Sequence, residues 1–114
     1  MARRYENKKH LSHVREKACL CRGADCYGDV EAHHLMKPWF GYRGMGMKAG
    51  DMNVLPLCHK HHMELHDVGN ENSFWIRKGH SPDFGRAVAL RIWEASPHKE
   101  DLSNWKPKGM RHER

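Results

Sequence analysis

Two short segments concentrate side chains that can bind a metal or move a proton. The first is Glu31-Ala32-His33-His34-Leu35. The second runs from Asn53 to His66, Asn-Val-Leu-Pro-Leu-Cys-His-Lys-His-His-Met-Glu-Leu-His. Within the second, His62 and His66 lie four residues apart. On a helix that spacing stacks both imidazoles on one face, within reach of one ion. Cys58 and His61 are three apart, a spacing suited to a second ion at the helix entrance. The two sets interleave, so one short helix can serve a structural site at its start and a catalytic site along its face. Upstream, Cys19, Cys21 and Cys26 fall within eight residues. Together with Cys58 and His61 they exceed the four ligands a tetrahedral zinc takes. The residues alone leave open whether Cys19 or Cys21 joins Cys26, and Cys21-x4-Cys26 is the more ordinary knuckle spacing.

His33 and His34 are adjacent. In a regular strand they would face opposite ways. In a bent strand both can approach one site, one as a metal ligand and the other reaching a water. Phosphodiester hydrolysis needs these parts: a cation to stabilise the phosphorane and the leaving oxygen, and a base to take a proton from water. An imidazole free of metal titrates in the right range for that base.

The elements that must position these groups are short. Residues 10–17 read as a short helix or an extended lead-in, and residues 18–28 as a knuckle-like loop with Gly23 and Gly28. Val30 to Met36 is β-capable. Lys37 to Gly50 is a glycine-rich loop. Asn53 to Leu57 is a second strand, with Pro56 marking an edge or an irregular end. Residues 59–67 read as a helix, and Ser73–Lys78 as an aromatic segment. A further helix is expected with Ser81 as N-cap, Pro82 at its first position and Asp83 in its first turn. Phe84, Val88 and Ile92 give it an apolar face, flanked by Ala87 and Trp93. Pro97 ends it. Phe74, Trp75, Phe84 and Trp93 are expected in the core.

The chain has 114 residues, enough for one domain and a small core. Residues 10–96 are expected to form it, between a flexible basic stretch, 1–9, and a flexible polar tail, 97–114. The net charge is +6. Residues 1–17 sum to +4, residues 97–114 to +2, and the middle to zero. Basic ends on a neutral body suit phosphate-backbone binding. No apolar run reaches membrane-spanning length. The clustered cysteines and the lack of an apolar segment after the first charges argue for metal binding in a reducing compartment, not for a secreted disulfide framework.

The two segments resemble the HNH endonucleases, whose ββα-metal fold (the His-Me finger) is two antiparallel strands and a helix around one catalytic ion. The resemblance rests on the His-His pair ending the first strand, Asn53 opening the second and His62-x-x-x-His66 on the helix. Ala18-Cys19-Leu20, Gly44 to Asp51, Pro56 to His66 and Asn72-Ser73-Phe74-Trp75 are similar to stretches of small phage and prophage HNH proteins. The resemblance covers roughly residues 10–95 and implies an α+β fold: a ββα-metal core with a zinc knuckle and a C-terminal packing helix. It implies His34 as general base, with Asn53 bracing the loop between the strands and holding the His34 ring by backbone contacts. It implies His33, His62 and His66 as ligands of a catalytic Mg²⁺, Mn²⁺, Ni²⁺ or Zn²⁺. It favours Cys19, Cys26, Cys58 and His61 for a structural Zn²⁺, with Cys21 a possible substitute. Arg43 and Lys48 would meet the DNA backbone. The expected partner is DNA, with a homodimer or a phage or recombination protein as further possibilities, in a bacterial cytoplasm. The expected function is metal-dependent endonuclease. The rival is a non-catalytic zinc-binding nucleic-acid module.

Overall fold

The computed structural model describes residues 4–41 and 48–102. It is an α+β structure with one two-stranded sheet and four helices: α1 (Lys8–Arg15), β1 (Val30–His34), β2 (Val54–Cys58), α2 (His59–Val68), α3 (Glu71–Arg77) and α4 (Phe84–Ala95). The strands are antiparallel, with Val30 opposite Cys58, His33 opposite Leu55 and His34 opposite Val54. All of β2 is buried. Pro56 lies within β2, facing Ala32, and does not end it. Its carbonyl accepts from Leu20 N at 3.0 Å, tying the cysteine loop to the strand.

α2 follows β2 without a linker. Cys58 is its N-cap, with Sγ accepting from His61 N at 3.5 Å. Gly69, at φ 74°, ends it in a left-handed turn open to glycine. Asn70 then caps α3 by accepting from Ser73 N at 3.0 Å. The aromatic segment is thus helical, and it sends Phe74 and Trp75 into the core beside Leu35, Leu55, Leu57, Leu65 and Ala89.

The start of α4 differs from expectation. Its N-cap is Asp83, which makes no side-chain cap bond, and not Ser81. The Ser81 carbonyl accepts from Phe84 N at 3.1 Å, so Ser81 to Phe84 is a turn before the helix. The expected apolar stripe lies against the core, with Gly85, Ala89 and Trp93 buried and Phe84, Val88 and Ile92 packed beside it. Gly85 allows the closest approach. A Cβ there would stand 2.7 Å from Trp75 Nε1 and 3.3 Å from Leu55 Cδ1.

The described parts of the two ends, residues 4–9 and 97–102, pack on each other. Tyr5 is buried with Met52 and Trp93, and its hydroxyl bonds Glu100. Asn7 caps α1 and donates to the His98 carbonyl at 2.9 Å. His10 is fully buried, edge-on to Trp93 at 4.8 Å between centroids and 3.0 Å from Ser96 Oγ. Burial, reinforced by His13, His98 and Lys17 against the opposing pull of Asp51, lowers its pKa to about 4. No described helix is long and apolar enough to cross a membrane.

Two outcomes follow for stability. Gly85→Ala should cost about 1–3 kcal/mol by overpacking against Trp75, read as a lower urea midpoint at unchanged m-value. His10 is neutral when folded, and its unfolded pKa is near 6.5. Its contribution is therefore complete above pH 6.5 and is lost on acidification from there toward pH 4. His10→Leu should flatten that limb relative to the unchanged chain, and equal slopes from denaturation at several pH values would contradict the assignment.

Candidate metal centres

α2 points its imidazoles two ways. His61 turns to the cysteine loop, while His62 and His66 turn to the end of β1. Two clusters result, Cys19–Cys26–Cys58–His61 and His33–His62–His66. In each, one ligand atom per residue lies within 4.8 Å of all the others.

The first cluster is buried apart from Cys26. His61 Nδ1 is 3.1 Å from Cys58 Sγ, 3.6 Å from Cys19 Sγ and 3.7 Å from Cys26 Sγ. The opposite nitrogen donates to Asp25 Oδ2 at 3.3 Å, which leaves Nδ1 as the ligand atom. Three sulfurs and one imidazole are a zinc donor set, and this cluster can hold such a metal. Cys21 stands outside it. The loop reaches the helix because Gly28, at φ 84°, has no Cβ; an added one would lie 2.6 Å from His59 Cβ. Asp29 and Tyr27 carbonyls then accept from His59 N and Lys60 N, each at 3.0 Å. Burial pushes the Cys19 thiol up. Burial also acts on Cys58, but hydrogen bonds from the His61 and Tyr27 backbone and from the His61 and Cys26 side chains outweigh it and hold that thiol down. Burial raises Cys21 to about 12, so it stays a thiol.

In the second cluster the ring centroids are 5.1 Å apart for His33–His62, 4.9 Å for His62–His66 and 6.0 Å for His33–His66. His33 Nε2 donates to Glu71 Oε2 and His62 Nδ1 to Glu31 Oε1, both at 2.7 Å. Each carboxylate fixes a tautomer whose other nitrogen carries a lone pair, the arrangement metal-binding histidines use. Burial lowers the His33 pKa despite Glu71, so the ring stays neutral. The hydrogen bond from His62, then that from His59, holds Glu31 below its usual value. Glu71 also accepts from Met36 N at 2.8 Å and Lys37 N at 3.1 Å, which anchors α3 under the end of β1.

His34 lies beside this cluster. His33, His34, His62 and His66 line one cleft of about 450 Å³ with Ala32, Met36 and Lys48. His34 Nε2 donates to Asp51 Oδ1 at 2.8 Å. Asn53 is buried and holds the chain after β1: its Oδ1 accepts from Trp39 N at 2.7 Å and Phe40 N at 3.2 Å, and its Nδ2 donates to the Phe40 carbonyl at 3.2 Å. The expected backbone contact runs from Leu35 N to Asn53 O at 2.9 Å, one residue past His34, whose ring is held by Asp51. Arg43 lies outside the described residues, and Lys48 is exposed.

The carboxylates Asp25, Glu31, Asp51 and Glu71 are not among the site residues expected from sequence. A signal existed for Glu31, two residues before His33 on the same strand and so on its face. Nothing local marks Glu71, which lies 38 residues from His33.

The cysteine geometry separates Cys21 from Cys26. After purification with zinc, Cys21→Ser should keep the bound zinc of the unchanged chain. Cys26→Ser should lose most of it and unfold at lower temperature, with metal content read by atomic emission. Equal zinc content in the two variants would contradict the ligand set.

No solved structure matches the chain. The chain is similar to the uncharacterized protein YdfU of Escherichia coli (strain K12), at 44% identity over 64 residues, which is 56% of this chain and 17% of that protein. The shared stretch is thus a small part of that relative. A family model described as a protein of unknown function, DUF968, matches residues 1–84, and the chain belongs to that family.

Proposed function

We propose that the protein is a metal-dependent endonuclease of the HNH type that hydrolyses DNA phosphodiester bonds. The observation that carries this reading is the shared cleft: His34 stands beside His33, His62 and His66, with Lys48 on the same wall. A structural zinc is closed by four protein ligands, whereas His33, His62 and His66 supply three and leave a position open. A fourth imidazole, outside the cluster and tethered through one nitrogen, is what base catalysis requires. The order β1, β2, α2 around the cluster supports a ββα-metal core.

His33, His62 and His66 would hold a divalent cation, which when bound supplies charge stabilisation for the phosphorane and the leaving oxygen. Three imidazoles favour transition metals in affinity, while cellular supply decides among Mg²⁺, Mn²⁺, Ni²⁺ and Zn²⁺. His34 takes the proton of the attacking water. Lys48 offers a cation to a backbone phosphate at the mouth of the cleft. Asn53 keeps the chain after β1 from collapsing across it. Products carry 5′-phosphate and 3′-hydroxyl ends. One such site cuts one strand, so a monomer nicks and a dimer cuts both.

Supercoiled plasmid incubated with each divalent ion should be nicked, and excess EDTA should stop the reaction. His34→Ala should fold, keep its metals and lose roughly 10²–10⁴-fold in rate. His62→Ala should lose the cleft ion and activity while keeping the thiolate-bound zinc. Unchanged nicking by His34→Ala would remove the base assignment. DNA binding without cleavage in any ion would favour the zinc-binding module.

A further inference from the structure

We propose that Asp51 is a positioning residue for His34, fixing its imidazole in the Nε2–H tautomer so that Nδ1 is the proton acceptor. The inference rests on the nuclease reading and deepens it. Its basis is a converging set of contacts. The Asp51 side chain is only 2% exposed. Its Oδ1 accepts from His34 Nε2 at 2.8 Å and from Arg4 Nη1 at 2.6 Å. Its Oδ2 accepts from Asn7 N at 2.8 Å, and its own backbone N–H donates to the Tyr5 carbonyl at 3.0 Å. One segment, residues 4–7, thus holds the carboxylate at two points and the Asp51 backbone at a third, while His34 takes the remaining contact.

The chemistry follows from that clamp. An ionised carboxylate can only accept hydrogen bonds, and the neighbouring guanidinium and backbone N–H favour its ionised form. The nitrogen facing it must therefore carry the proton. In a neutral imidazole this leaves Nδ1 with the ring's only lone pair, on a residue that lines the cleft. In the reaction the water proton passes to Nδ1 and the water oxygen's electron pair forms the new P–O bond. The P–O3′ bond breaks, its electrons leave on the 3′ oxygen, and that oxygen takes a proton from solvent. The imidazolium formed at His34 faces a fixed negative charge, which stabilises it, and later returns its proton to water. His33 and His62 use the same device, through Glu71 and Glu31, to aim a metal-binding lone pair. Asp51 extends it to the histidine outside the cluster, and the segment before α1 becomes part of the cleavage machinery although it lies behind the cleft.

The test uses the full zinc-loaded chain with Mg²⁺ or Mn²⁺ and compares it with Asp51→Asn, whose amide can donate to Nε2 and favour the opposite tautomer. Plasmid nicking should show kcat reduced roughly 10²–10⁴-fold with KM within about threefold. Nitrogen-15 spectra of the histidine rings should place the His34 proton on Nε2 in the unchanged chain and move it toward Nδ1 in the variant. Arg4→Met, which keeps the carboxylate and removes one of its clamps, should lower kcat about tenfold at unchanged KM. It carries the kinetic decision if Asp51→Asn does not fold. A wild-type kcat in a folded Asp51→Asn, or a proton found on Nδ1 of His34 in the unchanged chain, overturns the assignment. If the unchanged chain cuts nothing, the nuclease reading fails, and the ring spectra still decide whether Asp51 sets the tautomer.

Discussion

The arrangement depends on one geometric constraint: a single short helix carries ligands for two clusters on different sides. Successive residues on α2 are turned by about 100°. His61 therefore faces the cysteine loop while His62 faces β1, and His66, one turn on, joins His62. Because Cys58 is both the last residue of β2 and the N-cap of α2, strand, helix start and thiolate cluster are tied together. A rotation or register slip of α2 would take apart both clusters at once.

The second constraint is size. The apolar core formed by Leu35, Leu55, Leu57, Leu65, Phe74, Trp75 and Ala89 is small. Small cores commonly need a staple. The cysteine cluster joins the loop after α1 to the junction of β2 and α2, which the Asp25 pairings with Lys60 and His61 and the packing of Leu20 also link. Metal bound there crosslinks the chain between Cys19 and His61. The C-terminal side is closed differently, by Tyr5, Asn7 and His10 packing on the segment after α4.

A repeated device runs through both clusters and the cleft beside them. His33, His34, His61 and His62 each donate one ring N–H to a carboxylate, from Glu71, Asp51, Asp25 and Glu31 respectively. Each pairing leaves the other nitrogen able to bind a metal or a proton. The acidic residues come from the cysteine loop, β1, the loop before β2 and the start of α3, so the electrostatics of the site are assembled from four parts of the chain.

What could be read from sequence was whatever repeats over a few residues. The i,i+4 spacing of His62 and His66, the His33-His34 pair in a β-capable run and the apolar stripe of Phe84, Val88 and Ile92 all depend on helix or strand periods. The α+β class and the places of β1, β2, α2 and α4 were legible for that reason. What could not be read depended on distant groups. Residues 4–9 and 97–102 contact each other through Tyr5, Asn7, His98 and Glu100, and each looks featureless alone. Ligand spacing left Cys19 and Cys21 open and the family resemblance favoured Cys19; in the structure Cys19 joins Cys26, Cys58 and His61, and Cys21 stands outside. Glu71 and Asp51 meet their histidines across 38 and 17 residues, a distance over which no periodicity carries information. Sequence determined which side chains could meet along one strand or one helix, because backbone geometry repeats locally; only the tertiary structure decided which carboxylate faces each ring, because that depends on how separate elements pack.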